Sequence, residues 1–404
     1  MNTTVNANWD VTISGFGTPV AAMFFWSRNT ADGTENHRKF GIGAATGASN
    51  QWARSHVSDH GLATTQVAAA TSSTEVVYAL TSTGSFYMRV DFVTFITDGV
   101  TLHNSSLQPP PEAFFLTVVL IGGTDVVASA GSLTPNTTLD LTASVTGLSF
   151  PPTDILFCHA FNTNISFGFA HNGSPDTTFG VRNADRNSVA TTASAASNDD
   201  SYVVMHGNQT SNLFSAELTS INSDGFTITT RVSTTGTVRN VGYLALGISN
   251  FSSFAGRLTT PASTGDFGVT APSLKPQFII QILNSVDVDN TVDTTNKGGS
   301  FGVSIGDGTA QFTHSVASED GISSGSNTES TADDVLAILH DDDGTARFAS
   351  TLTSFDTNGF TQNFSATVSG ALWPYWVVQS EEAAATVSLP HRRSTNRIIH
   401  NLVR

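Results

Sequence analysis

Three hairpin-like stretches set the strongest limit on what this chain can fold into. DFVTFITDGVTL (Asp91–Leu102), ELTSINSDGFTI (217–228) and TLTSFDTNGFTQ (351–362) each place an Asp-Gly or Asn-Gly pair between two strand-like runs. Their glycines, Gly99, Gly225 and Gly359, are separated by 126 and 134 residues. A second landmark moves with them: Phe40-Gly41, Phe167-Gly168 and Phe301-Gly302 are 127 and 134 residues apart. Two landmarks travelling together mark an internal repeat. The Asp-Gly or Asn-Gly pair would supply the positive φ angles of a tight primed turn, a structural reason for it to recur.

Other segments complete the unit. An extended run follows a proline in PVAAMFFWS (from Pro19), PTDILFCHA (from Pro152) and PQFIIQIL (from Pro276), each preceded by VTISGFGTP, VTGLSFPP or VTAPSLKP. An apolar closing run follows each hairpin: FFLTVVLIGG from Phe114, VGYLALGIS from Val241 and ALWPYWVVQ from Ala371. SHVSDHG at Ser55 and SVASEDG at Ser315 sit midway, while the second copy diverges there into RNSVATTA. These landmarks divide the chain into 1–140 (repeat proper from about 11), 141–265 and 266–380, with a tail over 381–404. Strand-like runs of five to nine residues are broken by Gly, Asn-Gly, Asp-Gly or Thr/Ser clusters, and none keeps a 3.6-residue period. The expected fold is all-β: three tandem antiparallel β-sandwich, jelly-roll-like domains plus a short C-terminal tail. In the first hairpin Val93 and Phe95 share a face, but Phe92 and Ile96 fall with Thr94, so the alternation is imperfect.

Composition agrees. At 404 residues the chain exceeds one hydrophobic core, and 39% hydrophobic with 12% charged residues is too apolar for disorder and too poor in charge for a helical protein. A net charge of −16 with only 17 basic residues argues against nucleic acid as a partner. The single Cys158, within ILFCHAF, reads as a buried small hydrophobe and rules out an intrachain disulfide. The first residues show no basic-then-apolar leader, and the longest apolar run, Ala113–Gly122, is too short to span a bilayer; a soluble chain without membrane insertion is expected. Asn-X-Ser/Thr sites such as Asn104-Ser105-Ser106 and Asn208-Gln209-Thr210 arise by chance in a chain this rich in Asn, Ser and Thr.

At these residues the chain resembles a family of tandem repeats in structural proteins of tailed bacteriophages. Copies there carry a Val-Thr-Gly…Phe-x-Pro opening, an FGxG segment, a Ser-x-x-Asp-Gly turn, a Phe-x-x-Asp-Gly-Phe-Thr hairpin and a Tyr-Leu-Ala-Leu-Gly closing strand. The second unit is similar at Ser223–Thr227 and Tyr243–Gly247, and the third at Phe301-Gly302 and Asp356–Thr361. The first unit departs with Val100 and FFLTVVLIGG, and the third lacks the terminal Leu-Gly. The resemblance implies a virion component, and the single cysteine fits assembly in the reducing host cytoplasm.

Candidate chemistry is sparse. Asp287, Asp289 and Asp293 in DVDNTVD, Asp333-Asp334 and Asp341–Gly344 are the acidic clusters. Calcium takes alternating oxygen ligands around a sharp glycine turn; DVDNTVD has the alternation but neither the glycine nor a distal Glu. Solvated loops are the plainer reading, so no cofactor is expected, with calcium at those three aspartates as the alternative. His56, His60, His103, His159, His171, His206, His314 and His340 lack zinc spacing. Ser58-Asp59-His60 has the letters of a hydrolytic triad, but three consecutive residues cannot face one another, and a turn fits better. FGIGAATG is glycine-rich among strand signals, where close backbone packing accounts for it.

Trp26, Trp52, Trp373, Tyr375 and Trp376 are the aromatic residues that could form a sugar platform. Trp373 and Trp376 flank Pro374 on alternate strand faces, which makes them the glycan or partner contact to test against core burial. The tail EEAAATVSLPHRRSTNRIIHNLVR holds Arg392, Arg393, Arg397 and Arg404, four of the 17 basic residues, beside Ile398, Ile399, Leu402 and Val403. Such a segment cannot bury its apolar residues alone, so it is expected either to dock on a neighbouring acidic subunit or to fray. The functional expectation is a non-enzymatic virion protein, a surface appendage or decoration of tail or head. Its expected partners are other virion proteins and further copies of itself, a trimer among the options. The alternative is a carbohydrate-binding or adhesive module at a cell surface, contacting host glycan.

Overall fold

A computed structural model of the chain describes residues 4–399 apart from 5, 30–31, 82, 108–113, 173–177, 186–193, 209, 235–239, 250–251, 290, 294–300, 319–326, 341–344 and 380–395. Among the described residues all regular structure is β, and no helix is long and apolar enough to cross a membrane. The first unit contains β1 (Asn8–Thr12), β2 (Pro19–Ser27), β3 (Gly33–Glu35), β4 (Arg38–Gly47), β5 (Asn50–Ser58), β6 (Val67–Ser72), β7 (Val77–Leu80), β8 (Phe86–Ile96), β9 (Gly99–Leu107) and β10 (Phe115–Gly122). The second contains β11 (Val126–Leu133), β12 (Thr142–Val145), β13 (Asp154–Phe161), β14 (Asn164–His171), β15 (Thr178–Asp185), β16 (Ser194–Asp199), β17 (Val204–Gly207), β18 (Asn212–Asn222), β19 (Gly225–Ser233) and β20 (Val241–Ile248). The third contains β21 (Ser252–Thr259), β22 (Gly265–Val269), β23 (Phe278–Asn284), β24 (Val292–Asp293), β25 (Phe301–Gly306), β26 (Gln311–Ser318), β27 (Asn327–Asp333), β28 (Ala337–His340), β29 (Ala346–Asp356), β30 (Gly359–Ala366) and β31 (Leu372–Gln379), and β32 (Asn396–Ile399) follows.

Each unit is a sandwich of a four-stranded sheet on a larger one. The small sheets run β1-β9-β8-β7, β12-β19-β18-β17 and β22-β30-β29-β28. The large sheets run β32-β10-β2-β4-β5-β6, β11-β20-β13-β14-β15-β16-β24 and β21-β31-β23-β25-β26-β27-β3. The jelly-roll comparison holds for the two-sheet architecture; the strand order itself is built from meanders. Strand pairing also moves the unit starts upstream of 141 and 266. β11 pairs along its length with β20, and β21 with β31, although both precede the Val-Thr segments that serve as sequence landmarks.

The recurring hairpins are explained by tertiary contact. Their two-residue turns are Thr97-Asp98, Ser223-Asp224 and Thr357-Asn358, with the glycine already paired in the next strand. Asp98 takes a left-handed φ of 65° and Gly225 a φ of 158°, but neither Gly99 nor Gly359 has a positive φ, so the primed-turn expectation does not account for the glycine in all three hairpins. Close approach does: a Cβ would lie 2.1 Å from the Val11 carbonyl oxygen at Gly99, 1.9 Å from that of Val145 at Gly225 and 1.8 Å from that of Val269 at Gly359. The imperfect alternation has an equally local cause. A register shift between Phe92 and Thr94 recurs between Leu218 and Ser220 and between Leu352 and Ser354, leaving Val93, Thr219 and Thr353 as the extra residue of a bulge.

The large sheets are apolar on both faces. In β13, Ile155 and Phe157 enter the sandwich core of the second unit, whereas Leu156, Cys158 and Ala160 join a fourth cluster drawn from all three units. Equivalent positions meet there: Met23, Leu156 and Ile280; Phe25, Cys158 and Ile282; Ile42, Phe167 and Val303; Trp52, Phe179 and Phe312. The units thus close around a pseudo-threefold centre. One landmark slips in this alignment. Val76, Val203 and Leu336 are counterparts, each donating its N–H to the next strand but one, at Val90, Ala216 and Ser350. A Cβ on Gly43 or Gly168 would lie 2.0 or 2.1 Å from the Val76 or Val203 oxygen, so Gly168 matches Gly43 and not Gly41. A two-residue slip keeps every side chain on its face, which is why the burial pattern survives it.

Straps tie the ring together. β24 of the third unit pairs with β16 of the second, and β3 of the first pairs with β27 of the third. Between β13 and β14 the second unit has only the turn Asn162-Thr163, and the Thr163 carbonyl lies 3.0 Å from His56 Nε2 of the first unit. β11 and β21 fill the outer lane of their sheets antiparallel to the closing strand; beside β10, that lane holds β32 in parallel.

Candidate functional site

Buried polar side chains bridge each place where two units meet, and each of the three seams is chemically different. Between the second and third units, Asp154 at the start of β13 gathers donors from both sides. Trp376 Nε1–H of β31 and His171 Nδ1–H each donate to Oδ1 at 2.8 Å, and Ser253 Oγ–H of β21 donates to Oδ2 at 2.8 Å. Thr153 Oγ1 adds a contact at 2.9 Å. A Ser, a His and an Asp are therefore together, yet not as a proton relay. Ser253 Oγ lies 3.3 Å from the same Nδ1 that contacts Asp154, whereas a hydrolytic triad needs the imidazole between the two, one nitrogen for each. The cluster saturates a buried carboxylate and fastens two units.

Between the first and third units the centre is Glu329, which is fully buried. Its carboxylate accepts the backbone N–H of Arg28 (3.0 Å) and of Lys39 (2.5 Å). His37 Nε2 and His314 Nε2 stand 3.4 and 3.6 Å away, too long for good hydrogen bonds, and neither nitrogen has a hydrogen-bond partner. Burial pushes Glu329 up to about 8 and outweighs the lowering by its two backbone donors. Burial likewise pushes His37 and His314 down to about 3. His314 also stacks on Phe40 at 4.9 Å, and Ser27 Oγ meets Thr331 Oγ1 at 3.0 Å.

Between the first and second units, Trp52 Nε1–H donates to the Tyr243 carbonyl (2.7 Å) and Thr46 Oγ1 accepts the Ala130 N–H (3.0 Å). Arg54 is buried and donates to the carbonyls of Ala53, Ser72 and Asn240. Burial lowers it to about 10, which leaves it cationic at neutral pH. Arg54, Val181 and His314 occupy one equivalent position, paired with Ile42, Phe167 and Val303, so the symmetry of the centre is broken at its rim.

The residues singled out in the sequence fall differently. Trp373 and Trp376 are 0% and 1% exposed, which corrects the glycan-platform expectation. Trp373 packs in the third sandwich and donates to the Asn284 carbonyl, and Trp376 lies in the shared centre. Both faces of β31 are covered, so alternate-face placement exposes neither ring. Trp26, Trp52 and Tyr375 are buried too. Asp289 pairs with Arg257 at 2.6 Å, Asp287 is exposed on its loop, and the Asp293 side chain lies outside the described residues. Among the described residues no group of three metal-binding side chains comes together. Asp341–Gly344 lie outside the described residues, as do Arg392, Arg393, Leu402, Val403 and Arg404. Arg397, Ile398 and Ile399 belong to β32, whose backbone alone is described. Ser58 ends β5, and Asp59 donates its N–H to the Gln66 carbonyl at 3.2 Å across the connection to β6. Cys158 is buried, its thiol pushed up to about 12 by burial.

Asp154, Ser253 and Glu329 were not legible as a set. Asp154 is far in sequence from Ser253 and Trp376, as Glu329 is from Arg28 and Lys39, and only the inter-unit packing joins them. No protein-family model matches the chain, and no curated protein matches it.

Proposed function

We propose that this chain is a non-enzymatic structural component of a tailed-phage virion, a surface appendage or decoration of tail or head. The observation that carries the reading is the ring of three topologically equivalent sandwiches around one shared apolar centre. Such a molecule turns three similar four-stranded sheets outward from a braced interior, which suits repeated attachment to a symmetric partner lattice. The tandem-repeat resemblance points the same way. The adhesive alternative keeps no aromatic platform at Trp373 or Trp376.

The test is mass spectrometry of gradient-purified particles from a host carrying the gene, followed by electron microscopy of those particles. The expected result is the chain at fixed stoichiometry and traceable on the particle surface. Its absence from infectious, purified particles would overturn the reading.

A further inference from the structure

The strand beside β10 differs from its counterparts in connection and in direction. β11 and β21 run antiparallel to their neighbours and lead within a short loop into β12 and β22. β32 runs parallel to β10, pairing Leu116 with Asn396, Thr117 with Arg397, Val118 with Ile398 and Val119 with Ile399. Its acceptor belongs to the first unit, while its connection, residues 380–395, follows the third. A strand tethered in this way can leave or join a sheet without disturbing the unit it follows, and the same main-chain pairs form whichever copy supplies it. A connection of this length reaches at most about 55 Å, which spans between adjacent copies of a small protein. Charge adds direction: the tail carries Arg392, Arg393, Arg397 and Arg404 on a chain of net charge −16. It is thus the segment most attracted to the acidic surface of another copy.

We propose that the lane along β10 is a strand-acceptor site for residues 396–399 of a second copy of this chain, so that crowded copies exchange C-terminal strands. An intramolecular tether gives an effective concentration on the order of 1 mM, so the chain's own tail fills the lane in dilute solution and exchange competes only near that concentration. The inference rests on strand pairing and charge and does not require the virion reading.

The test uses the full chain with Thr117→Cys and Arg397→Cys, register partners across the lane. Cys158 is buried and does not compete for oxidation. Equal amounts of unlabelled and nitrogen-15-labelled protein are mixed and oxidised at about 1 μM, far below the tether's effective concentration, and at about 1 mM, where exchange competes with it. Exchange predicts disulfide-closed monomer in the dilute sample. In the concentrated one it predicts covalent dimers and longer species whose linked peptides combine light and heavy isotopes. A disulfide confined to single chains at both concentrations, or no disulfide at all, overturns the proposal. Should that variant fail to fold, Leu116→Cys with Asn396→Cys is the adjoining register pair. Light scattering of the unmodified chain needs no substitution: its mass rises with concentration and deletion of 390–404 abolishes the rise, whereas a constant mass up to about 1 mM sinks the idea.

Discussion

A glycine stands just after the turn of all three small-sheet hairpins because a backbone carbonyl of the neighbouring edge strand occupies the space of its missing side chain. At Gly359 the nearest atom to an added Cβ is the Val269 oxygen at 1.8 Å, and backbone cannot swing away as a flexible side chain would. Gly359→Ala is therefore expected to destabilise by about 1–3 kcal/mol, the usual range for overpacking, visible as a lower urea midpoint. Gly268→Ala is the matched control, since its only near neighbour is the Thr361 hydroxyl at 3.7 Å. Glu329 yields a pH prediction. Its folded value, raised from 4.5 to about 8, means the folded chain keeps a proton that the unfolded chain releases. That contribution is full at low pH and is lost as pH climbs from 4.5 to about 8. His37 and His314, lowered from 6.5 to about 3, contribute in the opposite sense, fully above 6.5 and progressively less as pH falls. Above 6.5 only the Glu329 slope remains within this trio. Urea unfolding should show the native chain weaker at pH 8 than at pH 6.5, with Glu329→Gln flattening the difference; an unchanged slope in the variant would exclude Glu329 as its source.

At the level of strands, the apolar runs ILFCHAF, FFLTVVLIGG and LWPYWVVQ read as strands in the sequence, and the structure buries both faces of each. Their existence, the hairpins and the three-fold multiplicity were legible, because each depends on local periodicity and turn chemistry. Which face meets which partner was not: Trp373 and Trp376 sit three apart in one strand, yet one fills its own sandwich and the other binds Asp154 of a different unit. Trp376→Phe preserves most of the ring but removes that donor from a buried carboxylate. It is expected to cost about 1–3 kcal/mol, against about 3–5 for Trp376→Ala, both read from denaturant midpoints. Equal losses in the two variants would mean that packing alone holds the seam.

For the whole molecule, the shared centre decides cooperativity. Sandwiches that merely followed one another would melt separately, but Met23, Leu156 and Ile280 lose common contacts if any unit opens. Scanning calorimetry is therefore expected to give one transition whose calorimetric and van't Hoff enthalpies agree, and three resolved transitions would contradict the shared core. The differing seams, an arginine in one, a buried glutamate in another and an aspartate cluster in the third, give each inner face one matching neighbour and so set the order of the ring. By itself the sequence determined β-structure, its repetition and the hairpin punctuation, since those follow from two-residue periodicity and turn chemistry. The ring, the burial of the tryptophans, the pairing of Glu329 with another unit's backbone and the lane beside β10 were decided only by tertiary structure. They join residues up to three hundred positions apart, and no spacing along a chain encodes which of several equally apolar faces will pack together.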